Sequence, residues 1–132
     1  MNPLDALARE MAQMPQAKLV TDHFFIPGGY ARRVFRQKGT LIVGKVHRKE
    51  HILVIAAGRL LVADGATRRE YGPGQVIVSM PGTRRATLAL EDSIAITFHV
   101  SDETDLDKLE EELVESDDTA LFDARNQLRI AS

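Results

Sequence analysis

Two histidines four residues apart, His47 and His51, stand in the segment Gly44-Lys-Val-His-Arg-Lys-Glu-His-Ile-Leu-Val-Ile-Ala-Ala-Gly58, where a polar cluster gives way to an apolar run ending on glycine. Imidazole is a metal ligand and a group that titrates near neutral pH, so a close pair puts metal or small-molecule chemistry first. The chain has no cysteine, which excludes disulfides, thiolate metal sites and a cysteine nucleophile. Any metal must therefore be held by histidine and carboxylate. Arginine pairs recur at Arg32-Arg33, Arg68-Arg69 and Arg84-Arg85. Successive strand residues point to opposite faces, so at most one of each pair can face an interior, and the first two pairs are expected at the surface. His23, in Thr-Asp-His-Phe-Phe, is expected to be structural, and His99 sits at the end of an apolar run.

Other chemistries find no support in the residues. There is no phosphate-cradling loop and no glycine-rich dinucleotide turn, and Ser79 and Ser93 lack a nucleophile-elbow context. The formal charge of -2 and the 5% aromatic content argue against direct nucleic-acid binding. No segment approaches the ~20 apolar residues that cross a bilayer. The N-terminal stretch carries acidic residues without a continuous apolar core, so it does not have the form of a signal peptide. A cytoplasmic setting is expected, in a bacterium or a phage-infected host cell.

The elements that must position these residues follow from the punctuation of the chain. With 132 residues and 44% hydrophobic content, one domain spanning 1–132 is expected. Leu4, Leu7, Met11 and Met14 recur at helical spacing, which predicts a short helix over 2–14. From 18 to 100, short β-branched and aliphatic runs alternate with turns at Ile26-Pro-Gly-Gly, Lys38-Gly, Ala57-Gly, Asp64-Gly, Gly72-Pro-Gly, Pro81-Gly and Glu91-Asp-Ser. Seven to nine antiparallel strands in a sandwich or barrel are predicted. Over 104–132 the helical period returns, with Thr104 and Asp107 as a capping pair and Leu106, Leu109 and Leu113 as a stripe, and a further short helix or an arm after Asp117.

The segment Gly44 to Gly58, followed by Gly74-Gln-Val-Ile-Val-Ser-Met-Pro-Gly-Thr-Arg-Arg85, resembles the two motifs of the cupin superfamily. The resemblance covers about Lys18 to Val100. It implies a mainly β fold, a double-stranded β-helix or jelly-roll barrel, whose wide end binds a divalent metal through four side chains. Counting back from Gly58, the glutamate position falls on His51 and the two histidine positions on His47 and Lys45. Counting forward from Gly74, the proline position is Met80, the third histidine falls on Arg85 and the later asparagine on Ala89. A guanidinium offers donors but no lone pair, so the family's four-ligand site is altered at half its positions. The stretch from Ala89 to Leu113, with His-x-x-Glu-His at His47, is also similar to small cupin-like proteins encoded in tailed-phage genomes.

Three functions are expected from this pattern. In the first, Lys45, His47, His51 and Arg85 line a pocket for a small anionic or nucleotide-like ligand, because guanidinium groups suit phosphate and carboxylate oxygens. The second is a metal-dependent cupin enzyme of oxygenase or isomerase type, in which His47, His51 and Glu50 or His99 hold Fe, Mn, Ni or Zn and leave positions open for water or substrate. The third is a structural component of a phage particle. A homodimer is expected, because open jelly rolls expose sheet edges that the two helical ends would cover.

Overall fold

A computed structural model describes residues 3–11 and 19–115. Helix α1 spans Pro3–Met11 and buries Leu4. Nine strands follow: β1 Val20–Ile26, β2 Gly29–Arg36, β3 Leu41–Val43, β4 His51–Ala57, β5 Leu60–Ala63, β6 Arg68–Tyr71, β7 Val76–Ser79, β8 Ala86–Ala89 and β9 Ser93–His99. Helix α2 covers Leu106–Leu113. Each predicted turn falls between two of these strands. The segment after Asp117 and the residues from 12 to 18 lie outside the described residues.

The strands form two antiparallel sheets, β1-β2-β9-β4-β7 and β3-β8-β5-β6. The fold is the expected mainly β jelly roll, but the sheets face each other without strand pairing that would close them into a barrel. Between them Leu53, Ile55, Leu60, Val62, Ile77, Ala89 and Ala95 make the apolar core, with Tyr71 packed against it.

The five-stranded sheet carries two inner rows above this core, read from the paired residues across its strands. One row is Phe25, Tyr30, His99, His51 and Ser79; the next is His23, Arg32, Thr97, Leu53 and Ile77. The residues between them point the other way, outward. At this end of the sheet the usual order is inverted, with polar side chains inside and apolar ones outside.

Helix α2 starts one residue later than expected: Asp105, not Thr104, is the cap, accepting from the backbone N–H groups of Asp107 and Lys108. Its Leu109 and Leu113 pack on Tyr30. Its C-terminal end is stitched to the loop before β4, with Arg48 N–H donating to Leu113 C=O, Glu115 N–H to Val46 C=O, and a β-bridge between His47 and Val114. Helix α2 thus covers this end of the five-stranded sheet.

Candidate functional site

The histidine pair of the sequence becomes a cluster of three. His51 opens β4 and is paired directly with His99 at the end of β9, while His47 is held in the preceding loop by its N–H to Thr83 C=O and by Gly82 N–H to its own carbonyl. Ring centroids lie 4.0 Å apart for His47 and His51, 4.9 Å for His51 and His99, and 6.1 Å for His47 and His99. Tyr30 stacks on His99 at 5.7 Å and its hydroxyl lies 2.7 Å from His23 Nδ1. His51 and His99 are buried. His23 lies on an inner row of the sheet and meets the cluster through the Tyr30 hydroxyl, whereas His99 belongs to the centre of the site.

Two guanidinium groups, those of Arg32 and Arg85, act on the imidazoles, and a third, that of Arg36, lies beyond Arg32 on the same strand. Arg85, at the position the cupin motif gives to a histidine, reaches across from the end of the four-stranded sheet and donates to Ser79 Oγ, which is fully buried. Arg32 lies on the inner face of β2, opposite Thr97, and Arg36 further along the same face donates to Thr87 Oγ1 of the other sheet. Arg32 was expected at the surface. It faces inward because β2 places Tyr30, Arg32, Val34 and Arg36 on one face, and Tyr30 and Val34 are both buried.

Burial sets the electrostatics. It pulls His47 down to about 3, helped by His51, Arg32 and Arg85, and pulls His99 down to about 3, helped by Arg32, His51, His47 and Lys49. His51 is lowered by burial against an opposing backbone hydrogen bond at Lys49. The imidazoles are therefore neutral at pH 7. Burial also lowers Arg32, and lowers Arg36 to about 10, so Arg36 keeps its charge at neutral pH. Tyr30 is raised by burial.

Four buried nitrogen atoms in this region, Arg32 Nε, Arg36 Nε, His47 Nδ1 and His51 Nδ1, have no hydrogen-bond partner. Among the described residues no carboxylate pairs with Arg32, Arg36 or Arg85. The carboxylates nearest in sequence are engaged elsewhere or exposed. Glu110 of α2 takes Lys45 as its ion-pair partner, Glu112 takes Lys49 at 3.0 Å, and Glu50 is exposed. Lys45 is thus tied to the helix over the site, while His47, His51 and Arg85 are brought together as expected.

The donor set does not fit the divalent metal that the cupin fold implies. The three imidazole planes lie within 20–36° of one another. Among the described residues no group of three or more His, Asp or Glu side chains is arranged to hold a metal ion. Two guanidinium groups acting on the same imidazoles oppose a further cation.

A second feature lies on the other side of the same sheet. A depression of about 930 Å³ is lined by the outer row Phe24, Ala31, Phe98, Ile52 and Val78 and rimmed by Arg48, Lys49 and Glu50. It shares His51 and His99 with the polar cluster but is largely apolar. None of Arg32, Arg36 and Arg85 lines it.

Among solved structures, KdgF from Halomonas sp. is similar at 24% identity over 70% of this chain and 86% of that one, with a TM-score of 0.58. An RmlC-like cupin from Shewanella frigidimarina matches at 19% identity over 66% of this chain and 78% of its own, TM-score 0.56. The cupin-2 domain of an XRE family transcriptional regulator from Enterobacter cloacae matches at 13% identity over 62% of this chain and 95% of its own, TM-score 0.55. No protein-family model and no curated protein sequence matches the chain. At these identities the likeness is one of fold, and the fold is that of the cupins.

Proposed function

We propose that this single-domain protein binds a small anionic molecule in the polar centre between its sheets, as a binding protein rather than an enzyme. One observation carries the reading: Arg32 and Arg85 act on neutral imidazoles with no carboxylate partner among the described residues, and the buried Arg32 Nε, His47 Nδ1 and His51 Nδ1 lack hydrogen bonds. A buried charge without a counter-charge costs several kcal/mol, and an unpaired buried donor about 1–3 kcal/mol more. A phosphate or carboxylate offers what these groups lack, acceptor oxygens with negative charge, and guanidinium can meet it in bidentate geometry. His47 and His51, neutral, would donate one N–H each from a tautomer chosen by the ligand.

The biological setting we propose is sequestration of a nucleotide-like signal in the cytoplasm of a phage-infected cell. The test is isothermal titration of the purified protein against nucleotides, sugar phosphates and organic acids. At least one anion is expected to bind with a micromolar constant, about 8 kcal/mol, and Arg32→Met to weaken it roughly 30-fold or more. Absence of binding across the panel, with Arg85→Ala changing nothing, overturns the proposal. So does about one divalent metal per chain that is lost in His51→Ala, which would restore the metal-dependent enzyme. Co-purification with virions would favour the structural role in a particle.

A further inference from the structure

We infer that the outer face of the five-stranded sheet is a homodimer interface, covered in solution by the same face of a second copy of this chain. Strand pairing lays this face out in rows. The first is Phe24, Ala31, Phe98, Ile52 and Val78; the second is Asp22, Arg33, Ile96, Val54 and Val76; the third begins Val20, Phe35 and Ile94. A sheet whose outer face meets water alternates apolar inside with polar outside. Here Asp22 and Arg33 are the sole charged residues in those rows.

Exposure and area point the same way. Phe24 is 47% exposed, Phe98 45%, Ile52 41% and Val78 60%. Together with Val20, Ile26, Phe35, Val76, Met80 and Val100, these side chains leave on the order of 1,000 Å² of apolar surface in contact with water, beyond the ~300–600 Å² of the largest patch on a typical monomer. A standard stable interface takes about 800 Å² from each partner. One such face is therefore sufficient to supply a whole interface.

The chemistry selects the second copy over another partner. An isologous contact requires a surface that complements itself, so a charged patch would repel its own image. The two charges within the rows cancel internally, since Arg33 donates to Asp22 at 2.9 Å and its guanidinium lies 5.2 Å from the centre of the Phe24 ring; at the rim of the depression Lys49 pairs with Glu112 and Arg48 donates to Val114 C=O. The face also carries both halves of a fit. Ile26 and Val100, each 71% exposed, form part of the wall of the depression over the first row and project from it. The interface rests on none of the arginine and histidine groups assigned to ligand binding, so it stands or falls independently of that function.

Sedimentation equilibrium on the full chain at roughly 10–100 µM, above the dissociation constants expected for an interface of this size, gives the test. The expected mass is twice the 14.6 kDa of one chain. Phe98→Lys and Val78→Lys, each at a position already exposed in the single chain, are expected to weaken association at least 100-fold while circular dichroism and the melting transition stay those of a folded protein. Arg69→Glu, exposed on the other sheet, is expected to leave the mass doubled. A wild-type monomer overturns the inference, whether the face is then bare or covered by the chain's own C-terminal residues. A dimer untouched by both lysine substitutions overturns it as well, by placing the contact elsewhere.

Discussion

His47 and His99 lie at about 3 because burial disfavours the imidazolium, and this fixes how the fold responds to acid. Once unfolded, each returns to about 6.5 and takes up a proton that the native state refuses. Between about pH 6.5 and pH 3 the unfolded chain binds more protons, so stability falls as pH falls. Each fully differing histidine contributes up to ~1.4 kcal/mol per pH unit. Denaturant melts at pH 7, 6 and 5 should show unfolding coupled to the uptake of about two protons near pH 5, from His47 and His99, and His99→Gln should remove about one. A stability that is flat over this range would mean that the rings are solvated. The same residues show what was legible from sequence. The cupin spacing placed His47, His51 and Arg85 at one end of the fold, and the structure brings these three together. It gave no such position to Arg32, Arg36 or Tyr30. Their signal is the alternation Tyr30, Arg32, Val34, Arg36 against Ala31, Arg33, Phe35, which ordinarily assigns arginine to solvent. Only the tertiary pairing of β2 with β9 reverses that assignment.

Elements hold the site from two directions. The turn between β4 and β5 rests on Gly58 at φ 77°, where an added Cβ would lie 2.3 Å from both Asp92 C=O and Ser93 Oγ. Backbone cannot retreat from that contact, so Gly58→Ala is expected to cost more than about 3 kcal/mol by chemical denaturation. Gly74 at φ 84° has nothing within 4 Å of its Cβ position, and Gly74→Ala is expected to cost only the ~1–2 kcal/mol of the left-handed conformation. On the other side, α2 lies over the cluster through Leu109 and Leu113 on Tyr30 and through ion pairs from Glu110 and Glu112. Loss of its cap in Asp105→Ala should cost about 1 kcal/mol. By fraying the cover, the same change should speed association of an anion more than it alters the equilibrium constant, which stopped-flow binding would resolve. The turns were readable from glycine and proline because those residues act locally. The role of α2 as a cover was not, because its stripe of leucines shows that it packs without showing against what.

For the whole molecule, one inversion links the two proposals. At one end of the five-stranded sheet the inner row of Tyr30, His99, His51 and Ser79 is polar, while the outer row of Ala31, Phe98, Ile52 and Val78 is apolar. A monomer built this way would hide its hydrogen-bonding groups and show its hydrophobic ones, the reverse of what water favours. An anion inside and a second copy outside remove both costs. The two contacts differ in physics, and salt separates them. Attraction between guanidinium groups and an anion that arrives from solution weakens as ions screen it, with a Debye length of about 10 Å at 0.1 M and 3 Å at 1 M. Burial of apolar surface is not screened. Raising sodium chloride from roughly 0.1 to 1 M should therefore weaken anion binding several-fold in calorimetry while the sedimenting mass stays double. If the mass halves with salt instead, charge rather than the apolar face joins the subunits.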